Sequence, residues 1–160
     1  MVAVRLDAID SSFQLTDSAG VAHFTLADGR WCLYASVTPA GSPTLVAGSI
    51  GPVGHRPPPA ADSVLFRLVL RPESIARGKI TLSGQATHAG TLVGAAELPL
   101  VVTTEADGSY ELGGLPPGTW SGLATHLGYQ PRLYDIVVSA PGDTITAGTS
   151  FVLVPGGPRP

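Results

Sequence analysis

The stretch from Thr103 to Pro131, TTEADGSYELGGLPPGTWSGLATHLGYQP, reverses direction so often that only short strands fit between its turns. Glu105-Ala106-Asp107-Gly108 is a tight-turn tetrapeptide in which Gly108 takes a positive φ without steric cost. Tyr110 and Leu112 then share one face of a period-two segment. Leu115-Pro116-Pro117-Gly118 turns the chain again, proline fixing φ and glycine relaxing it. A second strand carries Trp120, and Gly128-Tyr129-Gln130-Pro131 makes a corner.

Composition extends this reading to the whole chain. Twenty glycines and fifteen prolines without a collagen period point to many short strands joined by turns. Hydrophobic residues make up 44% and charged residues 13%, too apolar for disorder and too weakly charged for an electrostatically driven binder. A net charge of −3 supplies no basic footprint for nucleic acid. No apolar window is long enough to span a membrane as a helix. Met1 leads straight into the alternating segment Val2 to Leu6, so no signal peptide is read here.

The Thr103–Pro131 pattern resembles the carboxypeptidase-regulatory-like domain, a transthyretin-like or CnaB-like β-sandwich. That family reads T-D-x-x-G-x-[FY]-x-L-x-x-L-P-x-G-x-[YW], followed by G-Y-x-P. The resemblance covers Lys79 to Val154, nearly half of the chain. It implies a β-sandwich and a non-catalytic scaffold or adhesive role. Some CnaB-like domains also join a first-strand lysine to an asparagine or aspartate on the last strand. Lys79 stands at the matching start, but the chain has no asparagine, and Asp135 and Asp143 sit near strand ends. Lys79 is therefore read as a surface lysine.

A fainter copy lies upstream. Thr16 matches Thr104, Gly20 matches Gly108, and Phe24 and Leu26 match Tyr110 and Leu112. Gly29 matches Gly118, Trp31 matches Trp120, and Ala35 matches Ala124. The spacing predicts two tandem modules related by duplication, although Asp-Gly turns in any β-protein produce some such matches. The expected organisation is all-β: two small transthyretin-like or Ig-like β-sandwiches in tandem. Residues 1–70 form a divergent first module, 71–78 a linker, 79–154 the second module and 155–160 a loose tail. Strands are expected at 2–6, 12–16, 21–26, 31–37, 44–50 and 63–70, then at 79–87, 98–104, 109–112, 119–126, 132–139 and 144–154. The proline-rich run from Gly51 to Ala60 reads as a stiff surface loop.

Chemistry-bearing residues are sparse. His23, His55, His88 and His126 are scattered, and no G-x-S-x-G elbow accompanies them. Cys32, the only cysteine, lies between Trp31 and Leu33 and reads as a buried apolar thiol. Cys32 and the histidines show no zinc spacing, and Asp17, Asp28 and Asp107 read as turn residues rather than a calcium loop. Trp31 and Trp120 read as core aromatics in preference to sugar platforms, and Tyr129 as structural. No catalytic, metal or cofactor-binding residue is assigned, and no cofactor is expected.

What remains is a non-enzymatic structural module that packs into a larger assembly through protein contacts and self-association. The settings weighed are a phage virion surface (capsid decoration or tail appendage) and a secreted bacterial cell-surface or filament module. A carbohydrate-binding accessory domain, with surface glycans as ligand, trails both.

Overall fold

The computed structural model describes residues 1–7, 11–53, 66–146 and 148–157. Every regular element among them is a strand: β1 (Val2–Arg5), β2 (Ser11–Phe13), β3 (Gly29–Val37), β4 (Leu45–Val53), β5 (Arg71–Pro72), β6 (Ser74–Leu82) and β7 (Leu92–Ala95). There follow β8 (Leu100–Thr103), β9 (Ser109–Leu115), β10 (Gly118–Thr125), β11 (Arg132–Val138), β12 (Thr144–Ile145) and β13 (Phe151–Leu153). The all-β expectation holds.

The strands form three sheets. The N-terminal half makes a five-stranded antiparallel sheet in the order β2-β1-β3-β4-β5. The C-terminal half makes two: an antiparallel sheet β11-β10-β7-β8, and a mixed sheet in which β6 is flanked by β9 on one side and by parallel β12 and β13 on the other. Ile80, Leu82, Leu112, Leu153, Val93, Ala124 and Ile136 fill the space between these two sheets.

The order β2-β1-β3-β4 repeats in β8-β7-β10-β11, all neighbours antiparallel in both. Trp31 on β3 and Trp120 on β10 thus occupy equivalent strands. Each donates its indole N–H to the carbonyl four residues upstream, Trp31 to Ala27 at 3.0 Å and Trp120 to Pro116 at 2.8 Å. Gly20 and Gly108 adopt φ of 78° and 87°. The turns around them are alike in their backbone: the Gly20 N–H bonds the Asp17 carbonyl at 3.0 Å and the Gly108 N–H bonds the Glu105 carbonyl at 2.9 Å.

The halves differ in what covers the inner face. The equivalent of β9 was expected at 21–26, yet this segment joins no ladder. β9 is held by β6, and no described strand of the N-terminal half plays that part. Phe24 and Leu26 nonetheless pack, with Phe66 and Leu68, over Ala3, Trp31 and Leu33. Burial of the side chains survives where strand pairing does not.

The outer face of the N-terminal sheet is also buried. Cys32, Tyr34 and Val46 belong to the same core as the C-terminal sandwich. The Tyr34 hydroxyl donates to the Gly114 carbonyl at 2.9 Å. β4 approaches so closely that a Cβ at Gly48 would lie 2.9 Å from Pro116 and 3.0 Å from the Trp120 ring. The segment 71–78, expected as a linker, is instead β5 followed by the first half of β6, so the chain passes from one sheet to the next almost without interruption. β7 was not anticipated, and the span 144–154 divides into β12 and β13. Residues 66–70 form no strand, and the remainder of the strand expected at 63–70 lies outside the described residues, as do most of the proline-rich loop and the end of the tail. The tail is pinned where it begins: Tyr129 bridges Pro155, and the Gly156 N–H bonds the Gly128 carbonyl at 2.8 Å.

Burial decides the state of Cys32. Desolvation, reinforced by the nearby Glu97 carboxylate, pushes the thiol pKa up to about 12. The thiolate is the reactive species, so iodoacetamide at neutral pH should leave native protein unlabelled for hours and label it rapidly in denaturant. Rapid native labelling would show that the face between the two halves opens readily.

Candidate interaction surface

The residues that could carry chemistry are engaged in the fold. The His88 Nδ1 accepts the Leu82 backbone N–H at 3.1 Å, and its carbonyl accepts the Thr104 hydroxyl at 2.5 Å. The His126 Nδ1 lies 3.3 Å from the hydroxyl of buried Thr91 and its ring meets Tyr129 edge-on, with centroids 5.4 Å apart. Tyr129 donates to the Ser83 carbonyl at 3.0 Å, which makes it a corner clamp. His23 is exposed in the segment before β3, and His55 lies outside the described residues. Among the described residues no group of three histidine, cysteine or acidic side chains could hold a metal.

Asp17 and Asp107 bond the amides of their own turns. In Asp107 the Ser109 hydroxyl and amide hold the carboxyl below its usual range. Lys79 lies 3.7 Å from Asp107, and Asp143 accepts the Ala140 N–H at 2.8 Å, so the lysine and this aspartate are engaged separately. Trp31 and Trp120 are buried to within a few per cent of their surface and offer no platform to a sugar.

A set of tyrosines closes one side of the sandwich. The Tyr110 hydroxyl donates to the Thr149 carbonyl at 3.0 Å and lies 3.2 Å from that of Tyr134. Burial raises the pKa of both phenols. They are structural hydrogen-bonding groups, kept neutral by the desolvation that a phenolate would suffer.

What stands apart is the outer face of β11-β10-β7-β8. Antiparallel register sets Leu133 beside Leu123, Leu123 beside Gly94 and Gly94 beside Val101, one row across all four strands. Leu133 is 70% exposed and Val101 65%. Leu92 and Val137, also exposed, flank this row. Threonines 103, 119 and 125 and Ser121 fill the gaps, and Asp135 is the only charge on these four strands' outward positions. Gly94 keeps the middle flat, since a Cβ there would fall 2.6 Å from the Leu100 carbonyl oxygen.

The opposite outer face, on β6 and β9, has a different character. Arg77 pairs with Glu111 at 2.7 Å and Lys79 with Asp107. Solvated ion pairs suit a face that meets water. An apolar row with one acid suits a face that meets protein. The sequence suggested apolar surface in general but could not locate it, because a strand's outer and inner apolar positions look the same until the core is known.

No protein-family model and no curated protein matches the chain. Similar solved structures include two type II cohesin–X-dockerin complexes from Acetivibrio cellulolyticus, each an interface mutant. The N-terminal interface mutant is 18% identical with a TM-score of 0.44, over 52% of this chain and 58% of that one. The C-terminal interface mutant is 21% identical with a TM-score of 0.41, over 50% of this chain and 56% of that one. The TIE protein of Bacillus anthracis is 16% identical with a TM-score of 0.41, over 81% of this chain and 26% of that one. The chain thus spans less than two thirds of each.

Proposed function

We propose that this chain is a non-enzymatic structural module that packs into a repeating assembly through the outer face of β11-β10-β7-β8. The observation that carries the proposal is the apolar row Leu133-Leu123-Gly94-Val101, flat and almost free of charge, on a molecule whose other sandwich face is laced with ion pairs. The resemblance to carboxypeptidase-regulatory-like, transthyretin-like domains supports the same reading, since such domains are scaffolds and adhesive modules. The setting we favour is a phage virion surface, as a capsid decoration or tail appendage, with a bacterial cell surface as the alternative.

Self-association is the first consequence. Purified protein should scatter light as an oligomer at high concentration. The double variant Val101→Lys, Leu133→Lys should shift it to the monomer with its β-rich circular dichroism intact, because both side chains are already in water and charge there opposes association. A wild-type chain that stays monomeric at every concentration and co-purifies with no particle or filament would overturn the reading.

A further inference from the structure

The hairpin that joins β8 to β9 opens where it would be expected to close. It begins as a regular turn: the Gly108 N–H bonds the Glu105 carbonyl at 2.9 Å, and the Glu105 N–H bonds the Ser109 carbonyl at 2.8 Å. Continued by two residues on each strand, that pattern would pair Thr103 with Glu111, and then Val101 with Gly113. No such ladder forms, because β8 belongs to one sheet and β9 to the other.

The register says which backbone groups this leaves over. The Thr104 N–H bonds the Thr91 carbonyl at 3.0 Å, so Thr104 faces β7, and by alternation Val102 and Leu100 do too. The N–H and C=O of Val101 and Thr103 therefore point away from β7, into the opening. On the other wall the Ile80 N–H bonds the Gly108 carbonyl at 2.9 Å, which turns Gly108, Tyr110 and Leu112 toward β6. Glu111 and Gly113 then face the opening from the second side. Two strand edges confront each other without pairing.

The opening is bounded at both ends. The Glu105–Gly108 turn closes one. At the other, Leu100 and the Tyr34 hydroxyl both reach Gly114, leaving no room for a side chain there. A cleft of about 660 Å³ lies along this edge, lined by Val102, Thr103, Tyr110, Glu105, Glu111 and Arg77 among others. Its volume falls within the roughly 300–1,000 Å³ range of ligand sites. The Arg77 guanidinium is occupied by Glu111, whereas the Glu105 carboxylate has no ion-pair partner among the described residues.

We propose that the splayed edge of β8 is a docking site for an extended peptide strand of another protein, which pairs with the backbone of Val101 and Thr103 and presents a basic side chain to Glu105. Such a strand extends the sheet to five strands and adds its own outward residue to the apolar row beside Val101. Backbone pairing supplies the affinity, and alternate side chains supply the selectivity. The partner is thus an alternating apolar and polar segment with a lysine or arginine at one end. The site uses the backbone edge of β8, whereas the self-association proposed above uses the outward side chains of the same sheet.

The test uses the full chain and a capped peptide of about four residues, one lysine followed by alternating valine and threonine, a length that fits between the two bounded ends of the opening. Amide exchange read by NMR should slow about tenfold or more at Val101 and Thr103 on addition of peptide, while the exposed amides of β2 and β11 stay unchanged. A peptide N-methylated along one edge should protect neither amide. Thr103→Pro removes a donor that β7 does not use, so the variant should keep the native spectrum and lose the peptide. Should that variant misfold, Glu105→Gln serves in its place and should weaken the lysine peptide but not its norleucine analogue. Protection at another edge, unchanged binding of the N-methylated peptide, or no shift at millimolar peptide would each overturn the proposal.

Discussion

Trp120→Ala is expected to destabilise the protein by about 3–5 kcal/mol, the range for removing a buried large aromatic. Trp120 is 4% exposed and its indole N–H is satisfied by the Pro116 carbonyl at 2.8 Å. Its ring also lies against the backbone of β4 at Gly48, so it supports the contact between the N-terminal sheet and the C-terminal sandwich as well as the sandwich itself. Removing the ring leaves a void where the N-terminal sheet meets the C-terminal sandwich, and a cavity adds its own cost to the lost burial. Urea melts of the variant should show a lower midpoint. A loss below about 1 kcal/mol, the scale of an ordinary surface substitution or less than a typical cavity, would place Trp120 outside the core. A glycan platform would give that smaller loss together with abolished sugar binding.

Gly108→Ala should be nearly as damaging, for a backbone reason. Its φ of 87° is a conformation L-residues rarely adopt, and a Cβ there would lie 2.2 Å from the Ile80 carbonyl oxygen. The φ strain is on the order of 1–3 kcal/mol. The collision is with main chain, which can yield only by shifting β6 and so loosening the pairing that begins at Gly108 and Ile80; overpacking of this kind adds roughly 1–3 kcal/mol. Gly20 provides the control. It has the equivalent place and a φ of 78°, but a Cβ there meets nothing within 4 Å. Gly20→Ala should therefore show the φ strain alone. Equal losses in the two variants, measured by the same denaturant melts, would remove the role assigned to the Ile80 contact.

The two glycines also mark how far local sequence reaches. An Asp-x-x-Gly or Asp-Gly turn is specified within four or five residues: the aspartate bonds nearby amides and the glycine takes the positive φ. The sequence therefore determined the turns, the all-β class, the equivalence of Trp31 with Trp120 and the buried state of Cys32. β3 marks the limit. Its run Trp31-Cys32-Leu33-Tyr34 is buried on both faces, so alternation could not say that one face would meet Phe24, Leu26, Phe66 and Leu68 and the other the C-terminal sandwich.

Segment 21–26 has strand-like alternation but finds no ladder, because pairing needs a partner supplied from elsewhere in the chain. β7 was hidden for the converse reason: Leu92-Val93-Gly94-Ala95 is short and glycine-interrupted, and it becomes a strand only between β10 and β8. The proposed interaction surfaces belong to this second class. Leu133, Leu123 and Val101 form one row only through the register of four strands, and the cleft beside β8 exists because two consecutive strands joined different sheets. Turn chemistry acts over neighbouring residues and is written in their order. Sheet membership is decided by which apolar faces can be buried together, and that is a property of the assembled chain.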